Sequence, residues 1–76
     1  MSKTHRVRVT VKHMSIEGGF WGLFDQQGRK WLPVNLPEQL KREGVEANCT
    51  LEEMPDVVTS YNWGTPVRIT SFETPA

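Results

Sequence analysis

Histidine, cysteine and carboxylate side chains could carry chemistry in this 76-residue chain, and their spacing argues against catalysis by each. His5 and His13 share the parity of one strand but stand about 26 Å apart at about 3.3 Å per residue, too far to ligate one metal ion. Cys49 is the only cysteine, so neither an intrachain disulfide nor a cysteine cluster for zinc is possible. It falls on the apolar side of an alternating segment, where a thiol acts as a small hydrophobe; a reactive thiolate needs an exposed, electropositive setting. Asp25 and Asp56 adjoin turn-forming residues, where carboxylates serve the backbone. Glu52 and Glu53 are adjacent and point to opposite faces of a strand, the wrong geometry for shared acid–base work. No phosphate-binding loop, dinucleotide glycine motif or metal-ligand spacing occurs. These residues predict a protein that is not an enzyme and that uses no metal and no cofactor.

The side chains left over suit recognition. Arg6, Arg8 and Lys12 recur on one face of the first alternating segment, and Phe20, Phe24 and Trp31 lie close behind in sequence. A basic row beside aromatic rings is what a single-stranded nucleic acid requires: neutralised phosphates and stacking worth about 1 to 3 kcal/mol per base. Binding of that kind would be read in Trp31 fluorescence. Two structural readings compete with it. The row is also explained by cross-strand ion pairs with Glu46 and Glu52, as a solvated charged face or as a protein-contact surface. The rings, with Trp21, are equally explained as core, since large aromatics gather buried area at about 25 cal/mol per Å². A third use of exposed Phe20, Phe24 and Trp31 is an apolar patch for a protein partner or for self-association. Tyr61 and Trp63, beside Gly64, complete the candidate ligand-binding set, either as ligand contacts or as a plug.

Composition bounds these choices. The length predicts a single domain, residues 1–76 with an ordered core of about 5–73, near the size at which one hydrophobic core is just sufficient. With 37% hydrophobic and 24% charged residues, the chain reads as folded. Net charge is zero, which removes the overall basicity that accompanies nonspecific nucleic-acid binding. The distribution is uneven, net basic as far as Trp31 and net acidic from Leu32 onward. MSKTHRVRV carries charges without an apolar leader core, and no apolar run is long enough to span a bilayer. The expectation is a cytoplasmic protein without membrane contact, although a chain whose signal had been removed would read the same.

Five extended segments and one helix must position the candidate residues. Val7, Val9 and Val11 alternate with Arg6, Arg8, Thr10 and Lys12 over 5–13, a half-buried strand. A turn at 15–19 leads to a second strand at about 20–24, and Asp-Gln-Gln-Gly at 25–28 reverses the chain into a third at about 29–34. Residues 37–43 predict a helix of about two turns, with Pro37 at its first position, Glu38 and Lys41–Arg42 matched to its dipole, Gly44 as the left-handed cap, and Leu40 and Leu36 as docking residues. Val45, Ala47, Cys49 and Leu51 mark a fourth strand. The last segment, about 57–72, reads as extended and interrupted at Gly64-Thr65-Pro66, with a bend or bulge at Pro66.

Strand, strand, strand, helix, strand, strand is the order of the OB-fold, a five-stranded Greek-key barrel, and an SH3-like barrel is the competing fold. GLFDQQG at 22–28 is similar to the Leu-x-Asp-x-x-Gly hairpin of many OB domains. GGFWG (18–22), LPVNLPE (32–38) and WGTPV (63–67) together resemble a family of small, functionally uncharacterised prokaryotic proteins across most of 16–70. That resemblance implies a compact OB-like all-β barrel and transfers no catalytic residue. The chain departs from it at Tyr61-Asn62, where a more apolar pair is common. Exposure of the rings turns on hairpin register. A four-residue turn pairs Phe24 with Arg29, gathers Trp21, Leu23, Leu32 and Val34 on the better core face, and turns Phe20, Phe24 and Trp31 outward. A three-residue turn with a bulge pairs Asp25 with Arg29 and sets Trp31 beside Leu23 and Trp21.

Overall fold

Alternation along the first segment builds the longest strand, β1 (Thr4–Met14), with Val9 and Val11 buried and Arg6, Arg8 and Lys12 exposed on its other side. β2 (Phe20–Asp25), β3 (Lys30–Pro33), β4 (Glu46–Glu53) and β5 (Thr65–Glu73) complete an all-β fold in this computed structural model, which describes residues 3–57 and 63–74. The strands close as a barrel in the order β1-β2-β3-β5-β4. β1 pairs antiparallel with β2 along its second half and with β4 along its first, which joins the two ends of the sheet. β3 and β5 run parallel, Trp31 opposite Thr65, and β4 and β5 antiparallel. No helix among the described residues is long and apolar enough to cross a membrane.

The β2–β3 hairpin takes the three-residue register. The Asp25 N–H donates to the Arg29 carbonyl at 3.1 Å, Gly28 sits at φ +81, and Leu23 stands opposite Trp31. Asp25 sets the register: its Oδ1 accepts the N–H groups of Gln27 and Arg29, each at 2.9 Å, so the carboxylate holds the tight loop closed. Trp31 is 3% exposed and packs in the core with Val9, Val11 and Leu23, while Val34, expected inside by the four-residue register, is 45% exposed. The core survives the shift because Trp31 supplies the volume that Val34 would otherwise have given, and Leu32, on the other side of β3, is buried as well.

The expected two-turn helix at 37–43 is a single 3-10 turn, Glu38–Leu40. Pro37 is extended at ψ 148 and Lys41 already leaves helical space at ψ 64. So short a segment has no stability of its own, and its ends are claimed by tertiary bonds. The Asn35 side chain grips both backbone groups of Ile69, and Gly44, at φ +83, donates its N–H to the Val11 carbonyl. Docking through Leu40 holds: it is fully buried among the core side chains, with Leu36 and Val45 packed against them. The last strand also differs from expectation. Pro66 lies inside β5 opposite Leu32, and the bulge falls farther on, where Thr70 is left over between the pairs Thr50 with Ser71 and Leu51 with Ile69. Residues 58–62 of the expected segment lie outside the described residues.

Candidate ligand-binding face

Phe20, Gly22 and Phe24 share one parity of β2, opposite to that of core residue Leu23, so they face away from the barrel interior. Trp63 lies across them. A Cβ built on Gly22 would come within 2.4 Å of Trp63 Cη2, so the indole rests where only a glycine leaves room. Phe20 meets it edge-on at 5.3 Å between centroids and Phe24 at 5.5 Å, both in the tilted geometry that aromatic quadrupoles favour. Phe20 is buried, whereas Phe24 and Trp63 are half-buried and keep part of their rings open to solvent.

Two ammonium groups border these rings. Lys12, opposite Gly22, places Nζ 5.7 Å from the Phe24 centroid, and Lys30, opposite Phe24, places Nζ 5.8 Å from the Trp63 centroid. Both lie within cation–π range. Farther along β1, Arg8 is held by Glu46 at 3.0 Å, while Glu52 bonds Arg68 of β5 at 2.7 Å. The expected neutralisation of the basic row is therefore partial: among the described residues Arg6 and Lys12 form no ion pair.

The structure separates the predicted site residues. Arg6, Arg8, Lys12, Phe24 and Trp63 share the outer side of β1 and β2, with Phe20 beneath Trp63. Trp31 does not join them: contrary to expectation, the hairpin register turns it inward, where it can neither stack on a ligand nor report its binding directly. Phe20 is likewise not an exposed ring, at 7%. Tyr61 lies outside the described residues. Sequence reasoning missed Gly22 and Lys30. The first carried a signal, a glycine between two phenylalanines of one strand face, which is a gap the width of a ring; Lys30 carried none before the register was known.

Other polar groups are tied into the fold. Asp25 is enclosed, its side chain 3% exposed; desolvation pushes its carboxyl up, yet the Arg29 N–H, the Trp31 indole, the Arg29 guanidinium and the Gln27 N–H together outweigh that and hold it below its ordinary value. Burial pushes the Cys49 thiol up to about 11, so the group is neutral at physiological pH. His5 Nε2 lies 2.6 Å from Glu53 Oε2 with its ring against Trp31, and His13 packs edge-on to Trp21. Among the described residues, no three His, Cys, Asp or Glu side chains are grouped as metal ligands. No family model matches the chain, and searches of the curated proteins and of the solved structures give no match.

Proposed function

We propose that the chain is a non-enzymatic, OB-fold-like binding module and that its ligand lies on the outer side of β1 and β2 around Trp63. The closed order β1-β2-β3-β5-β4 with β3 and β5 parallel supports the fold assignment, as does the Leu40 plug between β3 and β4. Such barrels use the face of their second and third strands and the loop between the fourth and fifth, and the connection that leads into β5 is where Trp63 sits. The carrying observation is the pair Phe24 and Trp63, half-buried, with Lys12 and Lys30 over their rings and Phe20 packed against Trp63. Flat π surfaces beside ammonium groups suit a ligand that joins planar rings to negative charge, and single-stranded nucleic acid is the class that does so repeatedly along its length.

Titration with an oligothymidylate at low salt tests the reading. Trp emission is expected to fall on binding, the change is expected to disappear in Trp63→Phe, and affinity is expected to drop steeply with salt. Unchanged emission and unchanged mobility of the oligonucleotide at low salt would remove the reading. Self-association through the same side would rest on Phe24 and Trp63, since Phe20 and Trp31 are buried; a solution mass of two copies would favour it.

A further inference from the structure

Where the β2–β3 turn meets β1, Arg6, Arg8 and Arg29 line a cleft of about 260 Å³ whose remaining polar wall is Asp25, Gln26 and Gln27. We propose that this cleft is a phosphate subsite, which takes a phosphoryl group such as the phosphorylated end of a single strand whose bases continue toward Trp63. The strand end rests on the binding face proposed above; the phosphate subsite does not.

The three guanidiniums are presented in different ways. Arg29 donates its Nε–H to Asp25 Oδ2 at 2.7 Å and lies over the Trp31 ring at 5.2 Å, so its planar fork is fixed while its two terminal amino groups are not used by that bond. Arg8 spends Nε and Nη2 on Glu46 at 3.0 Å, leaving Nη1 outside this pair. Arg6 is exposed and makes no ion pair among the described residues. Three positive charges thus face two carboxylates, and both carboxylates are already bonded to an arginine. A guanidinium fork matches a phosphate oxygen pair, and a volume below that of drug-sized pockets suits a small group.

A neighbouring cleft of about 450 Å³ shares Arg6 and Arg8, but its far wall carries Glu73 in place of a third arginine, so an anion favours the hairpin side. Position supplies the link to the rings. Arg8 and Lys12 are four residues apart on the same face of β1, about 13 Å at about 3.3 Å per residue, with Thr10 opposite Phe24 between them. A strand anchored at the cleft by its terminal phosphate would pass Phe24 before it reached Trp63.

Two measurements test this. Inorganic phosphate, added to about 10 mM against an expected millimolar Kd, is expected to shift the backbone amide resonances of Gln26, Gln27 and Arg29, and the shift is expected to weaken severalfold in Arg6→Gln, an exposed position that spares the hairpin. Oligothymidylates of equal length with a 5′-phosphate, a 3′-phosphate or neither are then compared, and one phosphorylated end is expected to bind about tenfold more tightly, an advantage lost in Arg6→Gln. Phosphate shifts without any oligonucleotide binding would uphold the subsite and sink the strand-binding face. Phosphate shifts with equal affinity for all three ends would overturn the strand-end assignment. Oligonucleotide binding without end preference or phosphate shifts would overturn the subsite and leave the face standing.

Discussion

Trp31 and Trp63 lie against opposite sides of one sheet and illustrate two uses of the same side chain. Trp31 faces inward beside Leu23, is 3% exposed, and has its indole N–H satisfied by Asp25 Oδ2 at 3.1 Å. Trp63 faces outward, rests on a strand glycine between two phenylalanines, and remains half-buried. A ring that is enclosed and hydrogen-bonded contributes to stability and is closed to any ligand. One seated on a gap in a strand is held by edge contacts and can change its neighbours without unfolding the barrel.

Alanine substitution separates the two most sharply. Trp31→Ala is expected to cost about 3 to 5 kcal/mol in denaturant unfolding, because it empties a packed core position, whereas Trp63→Ala is expected to cost about 1 to 2 kcal/mol. Equal losses would erase the contrast. Asp25→Asn comes next, at about 1 to 3 kcal/mol near neutral pH, since the carboxylate answers two backbone N–H groups, the Arg29 guanidinium and the Trp31 indole. Its folded pKa lies below the ordinary 3.8, so this stability is present above that value and is lost as pH falls through the folded pKa. Unfolding curves of the two proteins are accordingly expected to converge in acid.

Gly22→Ala sharpens the comparison from the other side. The added methyl meets the far end of the Trp63 indole and pushes the ring off its seat, so stability is expected to fall by about 1 to 2 kcal/mol, as in Trp63→Ala, while Trp63 emission moves to the red. A large loss of stability with unmoved emission would mean that Trp63 is as structural as Trp31. The smallest effect belongs to the outer rim: Glu52→Gln breaks the exposed pair with Arg68 and is expected to cost about 0 to 1 kcal/mol, less at high salt.

Much of the architecture could be read along the chain. The Val7, Val9, Val11 alternation, the Asp25 and Gly28 turn residues and the buried parity of Ala47, Cys49 and Leu51 all follow from a period of two and from turn chemistry, which act over a few residues. Of the candidate face, Arg6, Arg8, Lys12, Phe20, Phe24 and Trp63 were legible along the chain, whereas Gly22 and Lys30 were not. Placing a ring from the approach to β5 on Gly22 joins positions some forty residues apart, a distance over which local preference is silent.

The sequence by itself determined that the protein is built of strands, that Leu40 seeks a core, and that Gly28 and Gly44 end their segments with left-handed backbone. Only the tertiary structure decided that the hairpin closes in three residues, that residues 37–43 shorten to one 3-10 turn, and which tryptophan stays outside. Short elements carry too little intrinsic stability to choose among near-equal local states, and the common core that all five strands must fill makes the choice for them.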